Sequence, residues 1–273
     1  MDISFTKLHG NGNDFIVIDE WDHVVIPDDM KGQFASCYCD RHFGIGAIGV
    51  IYVLKSTTCD MKMRLIQPDG SESDRCGNAI FCLAKFAYDA GYVKESCTVE
   101  THAGITEVTM GYQNEDFLAT ITLPSPRFDR KDIPATGGKG DFLEKIAGYE
   151  VHALNIGDPH AIVFADAVDA IDLGNVAPKI RHSRSFPEGA NVTIVEMTGP
   201  DSIRIRTYDQ DLEEEILSCG TGAAASAVMA NRLGMTGNIV HAETEGGSLT
   251  ISVMDAVKME GPATTVFSGI IAY

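Results

Sequence analysis

The sequence predicts an α+β protein made of two similar halves. Residues 76, 77, 91, 101 and 104 of the first half recur with the same residue types 143 positions later. A constant offset of this kind indicates an internal repeat. Each half also carries one apolar helical segment that follows a cysteine and ends at a glycine, among several short strand patterns. Sheets with one central helix in each half belong to the α+β class.

Strand patterns dominate the first half. They are short apolar or alternating runs, and they fall at residues 15–19, 49–54, 61–66, 97–101, 105–110 and 117–122. The first strand is entered from a turn at residues 10–13. One helix is predicted over residues 77–90, and Gly91 ends it.

The second half repeats this scheme after a segment rich in proline and glycine. Residues 124–141, with Pro124, Pro126 and a glycine run, predict a linker and a hairpin. Strand patterns then fall at residues 151–156, 161–165, 191–196, 202–208, 248–253 and 264–272. Helical patterns fall near residues 175–182 and at 220–233.

Composition restricts the function classes. The net charge of −18 argues against binding to nucleic acid or to an anionic membrane, because a protein binds either of these partners through basic patches on its surface. Seven cysteines, an odd number, do not form a disulfide framework and indicate a reducing compartment. The chain shows neither a signal-peptide pattern nor 18 continuous apolar residues. We therefore expect a cytoplasmic protein.

Two cysteines stand in matching settings, each directly before a predicted helix. Cys76 precedes Gly77-Asn78, and Cys219 precedes Gly220-Thr221. Helix N-termini lower thiol pKa values and attract anions. Two such thiols facing one substrate could take a proton from one face of a carbon and return one to the other. This is the chemistry of an amino-acid racemase or epimerase; the alternative is that both cysteines are small buried residues of a repeated helix–strand unit.

Other motifs give less information about function. Residues 44–49 match G-x-G-x-x-G, but a strand pattern follows where a dinucleotide site needs a helix. Cys37-Tyr38-Cys39 lacks the spacing of a zinc site, and no lysine stands in a Schiff-base context, so we expect neither a metal nor a pyridoxal cofactor. His160 follows a tight turn, and it is either a hydrogen-bonded turn histidine or a site residue.

Taken together, the motifs of the chain resemble diaminopimelate epimerase and its cofactor-independent racemase superfamily. The resemblance runs nearly end to end and rests on His9-Gly10-Asn11-Gly12-Asn13-Asp14-Phe15, Arg41-His42-Phe43-Gly44-Ile45-Gly46, Pro68-Asp69-Gly70-Ser71-Glu72, Cys76-Gly77-Asn78, Pro159-His160, Phe186-Pro187-Glu188-Gly189-Ala190-Asn191-Val192, Cys219-Gly220-Thr221-Gly222 and Gly246-Gly247-Ser248-Leu249.

The resemblance implies a fold and an activity. Two pseudo-symmetric lobes would each wrap a mixed or antiparallel sheet around a central helix, with the active site in the cleft between them. The first lobe would comprise residues 1–125 and be completed by strands at 264–273, and the second would comprise residues 126–263. The enzyme would be an isomerase of lysine biosynthesis that converts LL- to meso-diaminopimelate without a cofactor. Its partner would be a small-molecule amino acid, and a homodimer is left open.

The resemblance also assigns roles to residues. Cys76 and Cys219 match the acid–base pair, while His160 and Asp209 match positions beside the reacting centre, in catalysis or in binding only. Substrate-binding positions correspond to Asn13, Gln67, Gly77, Asn78, Asp158, Asn191, Gln210, Gly220 and Thr221. The two helix N-termini would supply backbone donors to the α-carboxylate of the substrate.

The chain departs from the family pattern at the far end of the pocket. Gln67 and Asp158 stand where the family usually has asparagine, and Asp209-Gln210-Asp211 stands in place of Glu-Arg-Gly. An arginine at position 210 would pair with the distal carboxylate, and such a bond contributes about 2–3 kcal/mol. These changes favour a substrate with a cationic side chain, such as histidine, lysine or ornithine, as the alternative to diaminopimelate.

Two other function classes stay open on the sequence alone. One is a redox protein in which Cys76 and Cys219 form an exchangeable disulfide. The other is a binding module without catalysis on the same fold. Gain of deuterium at the α-carbon of an amino acid in D₂O would separate the enzyme from both.

Overall fold

The computed structural model describes residues 2–73 and 76–273. It divides the chain into two units. Unit 1 is the chain up to Ile121 together with Glu260–Tyr273, and unit 2 is Thr122–Met259. The chain therefore returns to unit 1 for its last residues.

In the part of unit 1 that the structure describes, two α-helices lie among a set of strands. The strands are β1 (Asp2–Gly10), β2 (Asn13–Asp19), β3 (Gly49–Leu54), β4 (Met61–Ile66), β5 (Ser96–Thr101), β6 (Gly104–Gln113), β7 (Asp116–Thr122) and, at the end of the chain, β17 (Thr264–Ala272). The helices are α1 (Lys31–Tyr38) and α2 (Gly77–Asp89).

The strands of unit 1 form a mixed sheet. β1 pairs antiparallel with both β2 and β17, so the two ends of the chain lie side by side. β2 pairs parallel with β3, and β4 pairs parallel with β5, whereas the remaining neighbours are antiparallel. Helix α2 is the central helix of this unit: a run that includes Phe81, Cys82 and Leu83 is buried, so more than one side of it is covered.

Unit 2 likewise combines strands with two helices in its described residues, α3 (Leu173–Arg181) and α4 (Gly220–Arg232). Its strands are β8 (Phe142–Ile146), β9 (Tyr149–Asn155), β10 (Pro159–Phe164), β11 (Asn191–Gly199), β12 (Ser202–Tyr208), β13 (Glu215–Ile216), β14 (Ile239–Thr244) and β15 (Gly247–Val253); β16 (Val257–Pro262) begins in this unit and ends in unit 1. The central pair, β10 and β11, is parallel.

The two faces of the unit 2 sheet carry different helices. Val192 and Ile194 of β11 belong to an apolar cluster with Leu173 and Ile180 of α3. Helix α4 contacts β9 to β12, β14 and β15, and it is built almost entirely of glycine, alanine and serine up to Ala227. Small side chains let a helix approach a sheet closely. The helices predicted at 77–90 and 220–233 are confirmed as α2 and α4.

A buried ion pair anchors the start of α1 in unit 1. The ammonium of Lys31 donates to both carboxylate oxygens of Glu20 at 2.8 Å and to the carbonyl of Ile26 at 2.6 Å. It also lies 4.2 Å from the centroid of the Tyr52 ring. Glu20 accepts further hydrogen bonds from the backbone of residues 25 and 26. These bonds hold the segment between β2 and α1 against β3.

Within residues 2–73 and 76–273, none of the helices is both long and apolar enough to cross a bilayer.

Candidate active site

In unit 1, the first turn of α2 lies against the hairpin of β1 and β2. Cys76 is the N-cap residue of α2, with extended backbone (φ −158°, ψ 111°). Gly10 of the hairpin allows this approach, because a Cβ atom there would lie 3.2 Å from the carbonyl oxygen of Asn78 and 3.3 Å from its Cβ. Asn78 is buried, and among the described residues its Oδ1 accepts no hydrogen bond.

The hairpin turn places Asn13 at the same end of unit 1. Asn11 and Gly12 have φ values of +49° and +82°, as a type I′ turn requires, and Gly10 pairs with Asn13 across the hairpin. The next residue, Asp14, receives a two-point bond from Arg41, at 2.8 and 3.0 Å, and one from Lys7 at 2.7 Å. Partial burial raises the pKa of Asp14, but these bonds outweigh it and hold the pKa below its usual value.

Gln67 lies in a separate turn of unit 1. The N–H of Gly70 donates to its carbonyl at 2.9 Å, and Gly70 has a φ of +87°. The exposed Gln67 side chain accepts from the hydroxyl of Ser71 at 3.2 Å. This predicted substrate residue therefore bonds within its own turn.

In unit 2, Cys219 is the N-cap residue of α4. The N–H of Gly222 donates to its sulfur at 3.2 Å, and the hydroxyl oxygen of Thr221 lies 3.5 Å from the sulfur. Removal of the thiol from water raises the pKa of Cys219 to about 11; the contacts with Thr221 and Gly222 lower it, and the charges of Asp209 and Asp158 raise it further. A helix start by itself favours a lowered thiol pKa, but at Cys219 desolvation outweighs this effect.

His160 and Asn191 face α4 from the sheet beneath it. They are paired in register near the starts of the parallel strands β10 and β11. Their neighbours Ala161 and Val192 belong to the apolar cluster under α3. Because side chains alternate along a strand, His160 and Asn191 point to the opposite face.

The same face carries two hydroxyl groups that lead to Cys219. Thr193 and Thr207 hydrogen-bond to each other at 3.0 Å. A Cβ atom at Gly222 would lie 3.0 to 3.1 Å from these two hydroxyl oxygens and from the Cys219 sulfur. Glycine at position 222 thus lets the start of α4 rest on the strand ends, and it brings Cys219 to the end of unit 2 where His160 and Asn191 lie.

His160 is a fully buried histidine, and among the described residues neither of its ring nitrogens has a hydrogen-bond partner. Burial lowers its pKa to about 3, so the imidazole is neutral at ordinary pH. Of the two interpretations that the sequence left open, the hydrogen-bonded turn histidine is therefore wrong for the described part of the chain. A neutral imidazole keeps one donor and one acceptor nitrogen.

This buried imidazole makes unit 2 sensitive to acid. Below pH 6.5 the unfolded chain binds a proton at His160 and the folded chain does not until about pH 3, so stability falls as the pH drops through this window. At pH 5 the loss is about 2 kcal/mol relative to pH 7. Urea unfolding of the parent and of His160→Leu at both pH values should show the parent losing about 2 kcal/mol more than the variant. An equal loss in both proteins would contradict the assignment.

The acidic loop, residues 209–214, joins β12 to β13 beside these residues. Asp209 Oδ1 accepts the N–H groups of Asp211 and Leu212 at 2.8 and 2.9 Å. The N–H of Gln210 donates to Asn191 Oδ1 at 3.0 Å. Unit 2 thus brings together the predicted site residues Asp158, His160, Asn191, Asp209, Gln210 and Cys219.

Comparisons with known proteins place this geometry in a family. A family model described as diaminopimelate epimerase matches residues 5–122 and 152–266. The diaminopimelate epimerase of Methanothrix thermoacetophila is 47% identical over 272 residues, which cover 99% of this chain and 96% of that protein. That of Archaeoglobus fulgidus is 42% identical over 274 residues, with 99% and 97% covered. The chain belongs to the diaminopimelate epimerase family.

The family assignment confirms the resemblance drawn from the motifs, and solved structures confirm the fold class. A PhzF-family phenazine biosynthesis protein of Bacillus anthracis aligns with a TM-score of 0.74 at 17% identity, over the full length of both chains. A probable proline racemase of Agrobacterium radiobacter aligns with a TM-score of 0.67 at 15% identity, over 99% of this chain and 93% of that one. At these identities the likeness concerns the fold alone.

One contact beside the site is visible only in the structure. Arg181, the last residue of α3, donates from Nε to the carbonyl of Gln210 at 3.0 Å, and nothing in its sequence surroundings pointed to the site. Among the residues that the structure describes, no three histidine, cysteine, aspartate or glutamate side chains are grouped so that they could hold a metal ion.

Proposed function

We propose that this protein inverts the α-carbon of diaminopimelate, from LL to meso, with Cys76 and Cys219 as its acid–base pair and without a cofactor. The observation that carries the proposal is the matched position of these cysteines, each the N-cap residue of the central helix of its unit. Family membership over nearly the whole chain supports the substrate. The redox and binding-module alternatives explain this duplication less well.

The chemistry needs one group to take a proton and another to return one. In the proposal, a thiolate removes the α-proton and breaks the C–H bond on one face, while a thiol protonates the carbon on the other, with no net oxidation. The α-proton is weakly acidic, so developing negative charge must be stabilised. Backbone N–H groups at the start of α2 (Gly77, Asn78) and of α4 (Gly220, Thr221) are suited to the α-carboxylate.

The raised thiol pKa of Cys219 determines which cysteine donates a proton first and which acts as the base. With a pKa of about 11, Cys219 carries its proton at neutral pH, so it serves as the proton donor in the first turnover and Cys76 serves as the base. The roles are exchanged in the reverse reaction. The nearby charges of Asp158 and Asp209 favour the protonated thiol, and the neutral imidazole of His160 offers a hydrogen bond without adding charge.

A second candidate is a racemase of an amino acid with a cationic side chain. The observation that favours it is the charge around Cys219: Asp158 and Asp209 both act on its thiol, and Asp209 also acts on Asp211. Carboxylates attract an ammonium or imidazolium group and repel a carboxylate. Position 210, between two of them, carries a neutral glutamine.

A substrate comparison tests both candidates. We expect purified protein in D₂O to place deuterium at the α-carbon of diaminopimelate and to interconvert its LL and meso forms. In parallel, kcat/KM is measured for histidine, lysine and ornithine. Deuterium in none of these substrates would refute the proposed function. A higher kcat/KM for a basic amino acid than for diaminopimelate would establish the second candidate instead.

Variants at the altered positions sharpen the comparison. Gln210→Arg combined with Asp158→Asn should raise the preference for diaminopimelate over lysine roughly 30-fold, because lysine lacks the distal carboxylate and a charge-assisted bond contributes about 2 kcal/mol. Gln113→Arg, at an exposed glutamine of unit 1, is the control for the added charge. An unchanged preference in the double variant would show that positions 158 and 210 do not contact the distal end.

The setting and assembly are part of the proposal. The seven cysteines and the charge of −18 favour a reducing, cytoplasmic compartment and a small-molecule partner. A homodimer is the assembly to test, by light scattering coupled to size-exclusion chromatography.

A further inference from the structure

Gln210 in the acidic loop is hydrogen-bonded through both its backbone N–H and its backbone carbonyl. The N–H of Gln210 donates to Asn191 Oδ1 at 3.0 Å, and its carbonyl accepts from Arg181 Nε at 3.0 Å. Asn191 begins β11 and Arg181 ends α3, so neither belongs to the loop itself. A loop residue whose two peptide groups are bonded to separate elements has little freedom to move.

The guanidinium of Arg181 is largely buried and packs against Gly189. Its side chain is 17% exposed, and it lies over Gly189, where an added Cβ atom would collide with Nη1 and lie 2.9 Å from Cζ. Gly189 has a φ of +82°. Within the part of the chain that the structure describes, Nη1 and Nη2 donate no hydrogen bond, so Arg181 bonds to the loop backbone through Nε.

The same arginine offsets repulsion among the carboxylates of the loop. Burial and the charge of Asp209 raise the pKa of Asp211, and the charge of Arg181 lowers it. The carboxylate of Glu213 lies 3.5 Å from Arg181 Nε and 3.3 Å from Nε2 of His182. Without Arg181, the negative charges of Asp209, Asp211 and Glu213 would have less positive charge near them to offset their repulsion.

We infer that Arg181 is a positioning residue that holds the acidic loop, and with it the carboxylate of Asp209, beside the thiol of Cys219. The catalytic consequence rests on the proposed function, whereas the placement of the loop does not. Because the charge of Asp209 raises the pKa of the Cys219 thiol, release of the loop should make this thiol easier to ionise.

The test measures the Cys219 thiol directly. Iodoacetamide labelling over a range of pH, followed by mass spectrometry of the Cys219 peptide, gives its apparent pKa with no substrate present. Arg181→Met should lower this pKa, with labelling at pH 8 rising about threefold or more, a shift of about half a pKa unit. Arg181→Lys should lie between parent and Met variant, and Arg184→Met, at the exposed arginine three residues on, should match the parent.

A second variant distinguishes the loss of the Arg181 contact from misfolding and from a general loosening of the structure. Gly189→Ala places a methyl group where the guanidinium lies, so it should displace Arg181 and shift the labelling midpoint in the same direction. In the Arg181→Met background the alanine should add no further shift. An unchanged midpoint in Arg181→Met, or an equal effect of Gly189→Ala in both backgrounds, would overturn the inference.

Turnover separates this inference from the proposed function. With diaminopimelate, Arg181→Met should move the pH profile of kcat to lower pH and change KM less than kcat, since the arginine acts through the loop. A parent protein that epimerises nothing would refute the proposed function while the labelling result still decides the role of Arg181. Normal turnover with an unshifted labelling midpoint would refute the role of Arg181 alone.

Discussion

Replacing Cys219 by alanine is expected to abolish epimerisation, with kcat falling by about 10³- to 10⁴-fold. In the proposed mechanism each face of the α-carbon has its own proton carrier, and Cys219 carries the proton that is returned. Cys76→Ala should be as damaging, because no base is left on its face. Serine at either position should retain very little activity, since a hydroxyl ionises far less readily than a thiol. Chiral chromatography of both reaction directions measures the loss.

Proton exchange gives this prediction a finer readout. In D₂O, Cys219→Ala keeps Cys76 as a base, so we expect slow deuterium exchange of one isomer without inversion. Cys37→Ala removes an exposed cysteine outside both helix starts and should leave turnover unchanged. Near-normal inversion by either Cys76→Ala or Cys219→Ala would defeat the two-base mechanism. Equal loss in Cys37→Ala would point to an effect on the fold.

Replacing Lys31 by methionine is expected to lower the free energy of unfolding by about 3–5 kcal/mol. The side chains of Lys31 and Glu20 are 2% and 1% exposed, so the variant leaves the carboxylate of Glu20 buried without its counter-charge. The two N–H groups that Glu20 accepts satisfy only one of its oxygens. Equilibrium unfolding in urea, followed by circular dichroism, measures the change.

Two further variants serve as controls for the Lys31 result. Lys31→Met combined with Glu20→Gln should recover much of the lost stability, because the buried charge is then removed. Lys55→Met breaks an ion pair with Asp22 whose side chains are 57% and 75% exposed, and it should change stability by less than about 1 kcal/mol. Similar losses for Lys31→Met and Lys55→Met would show that burial of the pair contributes nothing.

Some elements were not predicted from the sequence, and each is stabilised by residues outside the element itself. Strand β1 pairs with β17 at the opposite end of the chain. Helix α1 is short and has no side-chain cap, and the buried pair of Lys31 with Glu20 holds its start. Strand β8 pairs with β9 within a hairpin of unit 2. Local patterns predict an element well only when its own residues supply most of its stability.

The sequence by itself determined the two central helices, the cysteines at their starts and the family, because helix starts and turn motifs are local signals. Only the tertiary structure decided the protonation of Cys219, since its thiol pKa depends on desolvation and on charges at residues 158 and 209. It alone showed that Arg181 holds Gln210, 29 residues further along the chain. Desolvation and contacts of this kind arise when distant segments pack together, and no local pattern records them.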